Sequence, residues 1–185
     1  MSNLSSEDTY RWILVCAWTA LIYLTLPMMP GVWAFLGKFA WIPFVMKAGI
    51  IGAAAVSVIV LARKKYIRSV TSFFLLFLLT GTYLWGVRVL SIPAERMHFI
   101  EYGVLAILVY RALVLNFKNG PAYTGAFIIT SLIGWGDEGI QYLLPNRYFQ
   151  WRDVGLNCAS AALGLALVYV LTRDKRPLDI DKHPL

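Results

Sequence analysis

Thr124-Gly-Ala-Phe-Ile-Ile-Thr-Ser-Leu-Ile-Gly-Trp-Gly-Asp137-Glu138-Gly-Ile-Gln141-Tyr-Leu-Leu144 is the stretch on which the fold turns. It is long enough to cross a bilayer, which takes roughly 20 residues, and it is apolar except along one side. Thr130, Gly134, Asp137, Glu138 and Gln141 recur at intervals that place them on one face of a helix. Asp137 precedes Leu144 by seven residues, which sets it roughly 10 Å below the helix end at about 1.5 Å rise per residue. A carboxylate turned to lipid costs about 2.5–3.5 kcal/mol at mid-bilayer. The stripe must therefore face other helices.

Further stretches of the same kind lie on both sides. Apolar runs at Trp12–Met28, Phe44–Ala62, Val70–Leu90, His98–Leu115 and Val154–Thr172 bring the expected spans to about six. The chain has 185 residues, of which 59% are hydrophobic and 15% charged, against about 45–50% and 25% in an ordinary soluble domain. That balance excludes a cytosolic enzyme, a disordered tail, a collagen and a disulfide-stapled secreted module. Cys16 and Cys158 sit in separate apolar runs, with neither a disulfide framework nor a metal-knuckle spacing. The first run follows Glu7 and Asp8 rather than a basic leader, and no small-residue cleavage site follows it, so it reads as retained.

Loop charges set the orientation. Arg11, the crowded Arg63, Lys64, Lys65 and Arg68, then Lys118, and Arg173, Lys175, Arg176 and Lys182 fall on one side; Lys38, Arg96, Arg147 and Arg152 fall on the other. Positive residues collect on the cytoplasmic side, so both termini are expected there, and the net charge of +7 reflects these flanks rather than nucleic acid. The expected fold class is an all-α, polytopic transmembrane bundle. Between the first two spans, Pro30–Pro43 is rich in aromatics and suits a short helix in the outer interface. The second span carries Gly49, Gly52, Ala53, Ala54 and Ala55, which permit close helix contact.

Placing the ionisable residues on this topology sends most of them to the outer half. Arg88 closes the third span; Glu95, Arg96, His98, Glu101 and Tyr102 open the fourth; Asp137, Glu138 and Gln141 lie in the outer part of the fifth; Arg147, Arg152, Asp153 and Asn157 lead into the sixth. His98, Glu101 and Tyr102 share one helical face, and Asp153, Asn157, Ser160 and Gly164 another. Three helices thus present polar stripes at similar depth, which are expected to line an outward-opening pocket or to form an ion-pair network that fixes helix order. Ionisable groups inside a membrane favour the site.

These residues resemble the VanZ-like family, bacterial envelope proteins named after a teicoplanin-resistance determinant. The family runs Asp-Lys-x-x-His-Phe-x-x-Tyr, then Asp-Glu-x-x-Gln, then Pro-Gly-Arg, then Asp-Val-x-x-Asn. Here the corresponding residues are Glu95-Arg96-Met97-His98-Phe99-Ile100-Glu101-Tyr102, Asp137-Glu138-Gly139-Ile140-Gln141, Pro145-Asn146-Arg147 and Asp153-Val154-Gly155-Leu156-Asn157. Glu95-Arg96 keeps the charges of Asp-Lys but stands one residue nearer the His, Asn146 tolerates the positive φ of the usual Gly, and Ile140 stands where a second His is often found. The resemblance spans about Val70 to Thr172, which makes 70–172 the core, 1–69 a two-helix addition and 173–185 a polar tail. It implies a multi-pass protein of the bacterial cytoplasmic membrane, a role at the cell envelope and lowered susceptibility to a glycopeptide antibiotic.

Chemically, His98 can transfer protons near neutral pH, with Glu101 or Asp137 to orient it. Asp137, Glu138 and Asp153 complete the candidate catalytic set. Arg88, Arg147 and Arg152 can clamp a phosphate or carboxylate, and Glu101, Tyr102, Gln141 and Asn157 complete a binding set. Asp137 and Glu138 lie about 100° apart around a helix, so they serve different partners rather than sharing a proton. Three readings stay open: an enzyme acting on the polar end of a lipid-linked or amphiphilic substrate, a protein that binds such a ligand without chemistry, and a proton-coupled carrier. The expected partner is a membrane lipid or an amphiphile, and no cofactor is expected. With His183 in the tail, His98 is the single imidazole at hand, and nearby arginines oppose a metal ion.

Overall fold

The computed structural model describes residues 6–42, 44–45, 48–49, 51–52, 69–90, 93–118, 120–145 and 147–173. Most of the expected span Phe44–Ala62, the basic connection at 63–68, Asn146 and the tail from residue 174 lie outside the described residues. Among those described, every regular element is a helix: α1 Ser6–Thr25, α2 Met29–Leu36, α3 Val70–Val89, α4 Pro93–Leu113, α5 Gly120–Leu143 and α6 Trp151–Arg173.

The helix ends follow from local chemistry. The Ser69 hydroxyl caps α3 by accepting from the Ser72 amide at 3.1 Å. Pro27 supplies no N–H and crowds the turn before it, so α1 stops at Thr25, whose hydroxyl donates to the carbonyls of Leu21 and Ile22. Pro30 then sits in the first turn of α2, where a missing N–H is tolerated. The result is an elbow: α2 leaves α1 at 66°. The stretch Pro30–Pro43, expected as one interfacial segment, is thus helical to Leu36 and continues in turns over residues 37–41.

Helix α4 is the centre of the bundle. It packs most extensively on α6, and then on α5 and α1, while α3 lies against α6. The α4–α6 seam closes tightly because a Cβ on Gly164 would run into the backbone of Gly103; only glycine allows the approach. Around it, Val15, Ile22, Tyr102, Leu105, Ala106, Val109, Ala126, Ala161 and Leu165 form the main core. Helix α1 is pinned to that core by two long-range bonds. The Trp18 indole donates to the Glu101 carbonyl at 3.1 Å and the Tyr23 hydroxyl to the Ile133 carbonyl at 2.7 Å.

The distribution of polarity is inverted relative to a soluble domain. Asp137, Glu138 and Asn157 are fully buried, whereas Phe73, Phe74, Phe77 and Trp85 on α3 and Phe127, Ile128, Leu132 and Trp135 on α5 face outward. By length and mean hydropathy, Trp151–Arg173 can cross a membrane, as can the bent pair Ser6–Thr25 and Met29–Leu36 taken together. The expectation of about six spans counted α4 and α5 as well. Their inward-facing charged and amide side chains lower their mean hydropathy without touching the outer surface, and α3 is apolar only over Val70–Gly86.

A second polar patch, not anticipated, closes the far end of α4. Arg11 is buried, donates to the carbonyl of Arg111 and pairs with Glu7, and Asn116 donates to Asp8 at 3.1 Å. The leader acids, expected only to argue against a signal peptide, here fasten α1 to the end of α4.

Candidate functional site

The site is assembled where α4 and α6 begin and α5 ends. Asp137 stands at its centre. Its Oδ2 accepts from the Tyr102 hydroxyl at 2.8 Å and lies 3.4 Å from His98 Nδ1, while its Oδ1 accepts from the Gln141 amide at 3.1 Å. Glu101 reaches the same imidazole, with Oε2 3.7 Å from Nδ1. His98 therefore presents Nδ1 to two carboxylates.

Glu138, the neighbour of Asp137, turns to other partners. It accepts from the backbone N–H of Gln150 at 3.2 Å and from Gln141 Nε2 at 2.9 Å. The two acids thus have separate environments, as expected, with one addition: the Gln141 amide touches both. The carbonyl of that same side chain accepts from Arg147. Gln141 is the clip that ties Asp137, Glu138 and Arg147 together.

From α6, Asp153 lies on the inward face within electrostatic reach of His98, Asp137, Arg147 and Arg152. Its Oδ1 has no hydrogen-bond donor, and neither does Asn157 Oδ1 one turn on, although both atoms are buried. The Asn157 amide donates to the Gly134 carbonyl at 3.4 Å. Gly134 makes room for it, since a Cβ there would stand 2.9 Å from Asn157 Cβ. Ser160 ties the next turn to α4 by donating to the Phe99 carbonyl. The three polar stripes do face one another.

The arginines are not gathered into a clamp. Arg152 forms a two-pronged pair with Glu95 at 2.7 and 3.3 Å, Arg147 is held by Gln141, and Arg88 is exposed in the last turn of α3. Arg96 donates to the Leu90 carbonyl at 2.8 Å and so bridges the end of α3 to the start of α4. Tyr102, Gln141 and Asn157, expected among the binding residues, are buried to within a few per cent and do not line the cleft.

What remains accessible is a cleft lined on one side by Met97, His98, Glu101 and Arg147 and on the other by Ile22, Thr25, Leu26, Met29 and Trp33. It is small, with a cavity volume of about 20 Å³, and it opens to the surface. The first wall is polar and charged; the second, supplied by the α1–α2 elbow, is apolar. Sequence reasoning missed this second wall. The available signals were the Pro27–Pro30 spacing, which forces the elbow, and the helical spacing of Ile22, Leu26, Met29 and Trp33; neither says where the wall points. Among the described residues, no three His, Cys, Asp or Glu side chains converge in a way that would hold a metal ion.

Comparison with known proteins matches the chain to the family model VanZ/LLP1 over residues 11–172. It takes in α1 and α2 as well as the motif-bearing stretch 70–172. Searches of curated proteins and of solved structures return no match.

Proposed function

The chain belongs to the VanZ/LLP1 family, and from that premise we propose that it is a multi-pass protein of the bacterial cytoplasmic membrane whose His98–Asp137 cluster engages the head group of an amphiphile. The cluster opens to the outer face, and both termini are cytoplasmic. The inverted polarity supports the membrane setting, since outward Phe, Leu and Trp side chains suit acyl chains and inward acids avoid them. The basic flanks support the orientation.

One observation carries the functional reading: the cleft has a charged wall built on α4 and an apolar wall built on α1 and α2. A ligand that fits both has a polar head and a hydrocarbon body. A lipid-linked envelope component fits that description, and so does an amphiphilic antibiotic. In this arrangement His98 is the proton donor or acceptor, Asp137 and Glu101 orient the ring, and Arg147 and Glu101 bind the head group. Tyr102 and Gln141 fix Asp137.

The test is expression of His98→Ala and Asp137→Asn variants in a teicoplanin-sensitive bacterium. Both are expected to reach the membrane at the level of the unaltered protein and to lose any protection against the antibiotic. Loss of the protein itself in both variants argues instead for an ion-pair network that only holds the bundle together.

A further inference from the structure

We propose that α2 is a hinged lid over His98, shut in this structure, which swings out at the elbow Leu26–Met28 before a head group can enter. The inference rests on the amphiphile reading above and adds how that site is opened.

The cavity of about 20 Å³ has room for one water, which takes about 10–15 Å³ on the same measure. A head group of several heavy atoms needs more. The α4 wall is in no position to retreat. Gly164 meets the Gly103 backbone behind it, and the Trp18 indole holds the Glu101 carbonyl. Widening is left to the α2 side.

Helix α2 is fastened quite differently from α1. Arg11, Trp18 and Tyr23 tie α1 to the bundle along its length. Past Thr25 such ties stop, and α2 buries no residue. Trp33 carries the one polar side-chain group of α2, and that indole N–H is buried without an acceptor at a residue lining the cleft. An unpaired buried donor destabilises the shut position, and water satisfies it on opening. Beyond α2, Phe35, Phe39 and Trp41 pack on one another with ring centroids 5.5 and 6.1 Å apart. Phe35 and Trp41 nonetheless stay exposed, so this segment is braced largely by itself. The joint is short. Pro27 has no N–H with which to continue α1, the Met28 N–H closes the turn on the Thr25 carbonyl at 3.0 Å, and α2 leaves at 66°. An element so little buried, on such a joint, opens at small cost and can gate the group beneath it.

The experiment uses the full chain in phosphatidylcholine nanodiscs, carrying Cys16→Ser and Cys158→Ser. Met29→Cys and Met97→Cys, one on each wall, are joined by a short bifunctional methanethiosulfonate. Binding of dodecyl phosphate and of dodecylammonium is measured above empty nanodiscs. The tie is expected to weaken whichever probe binds by more than about tenfold, as loss of the competent conformer does, and reductant to restore it. A monofunctional methanethiosulfonate, which adds bulk without a tie, is expected to spare binding. A second measurement needs no ligand. Pro27→Ala with Pro30→Ala lets α1 run on through the elbow, so Met97→Cys should react several-fold faster with a water-soluble maleimide. Undiminished binding by the tied protein, or an unchanged maleimide rate in the proline variant, overturns the lid and leaves the amphiphile reading standing. Binding of neither probe by the untied protein overturns the amphiphile reading, and the maleimide rate then decides the lid. The same rate decides it if the monofunctional reagent also abolishes binding.

Discussion

Helix α4 carries buried polar clusters at both ends, and the two are built to opposite rules. At its C-terminal end, Arg11 is matched to Glu7 and to a helix-terminal carbonyl, and Asp8 to Asn116. Complementary groups meet, and the result fastens α1 in place. At its N-terminal end, Asp137, Glu138, Glu101 and Asp153 crowd around one imidazole with Arg147 and Arg152 at the margin, the buried Asp153 and Asn157 oxygens are left without donors, and a cleft lined by His98 and Glu101 reaches the edge of the cluster. Burial alone does not distinguish a fastening from a site; both ends are buried. Balance does, because an unbalanced buried cluster costs stability and persists where function requires it.

The comparison can be broken or sharpened by mutation. The largest effect is expected at the seam that joins the two ends. Gly164→Val forces a branched side chain against the Gly103 backbone, which cannot yield as a side chain can. A loss of about 3 kcal/mol, the upper part of the overpacking range, should appear as a collapsed thermal transition in detergent, with both clusters lost together. Next comes Arg11→Ala, which strips the Arg111 carbonyl of its donor. Destabilisation of about 1–2 kcal/mol is expected, with activity per folded molecule unchanged, and a loss of activity out of proportion to stability would erase the distinction between the ends. The smallest effect belongs to Glu95→Gln. Its partner Arg152 is 58% exposed, so the melting transition should shift by the equivalent of about 0.2–1 kcal/mol.

Much of this was legible in the sequence, for identifiable reasons. The helical spacing of His98, Glu101 and Tyr102, of Asp137 and Gln141, and of Asp153 and Asn157 fixes which face each presents, and the cost of a carboxylate in lipid turns those faces inward. The boundaries of α3, α4, α5 and α6 fall within a few residues of the apolar runs, Pro93 opening α4 ahead of the charged residues. Two things were not legible. The arginines were expected to clamp an anion, but Arg152 is captured by Glu95 and Arg147 by Gln141; spacing gives a face, not which of several neighbours wins a guanidinium. The apolar wall was also hidden. Ile22, Leu26, Met29 and Trp33 do recur at helical spacing, but an apolar stripe does not say which helix it meets once the elbow swings α2 toward α4.

The central claim is that the cleft between this elbow and α4 is a ligand site open to the outside of the cell. Met97 lines it without taking part in the hydrogen-bonded cluster. The direct measurement places Met97→Cys in a background where Cys16 and Cys158 are replaced by serine, and follows its reaction with a membrane-impermeant maleimide on intact cells. Labelling from outside that slows in the presence of a dodecyl amphiphile, whatever its head group, is the expected result. Labelling that needs cell lysis, or that no amphiphile retards, contradicts the account.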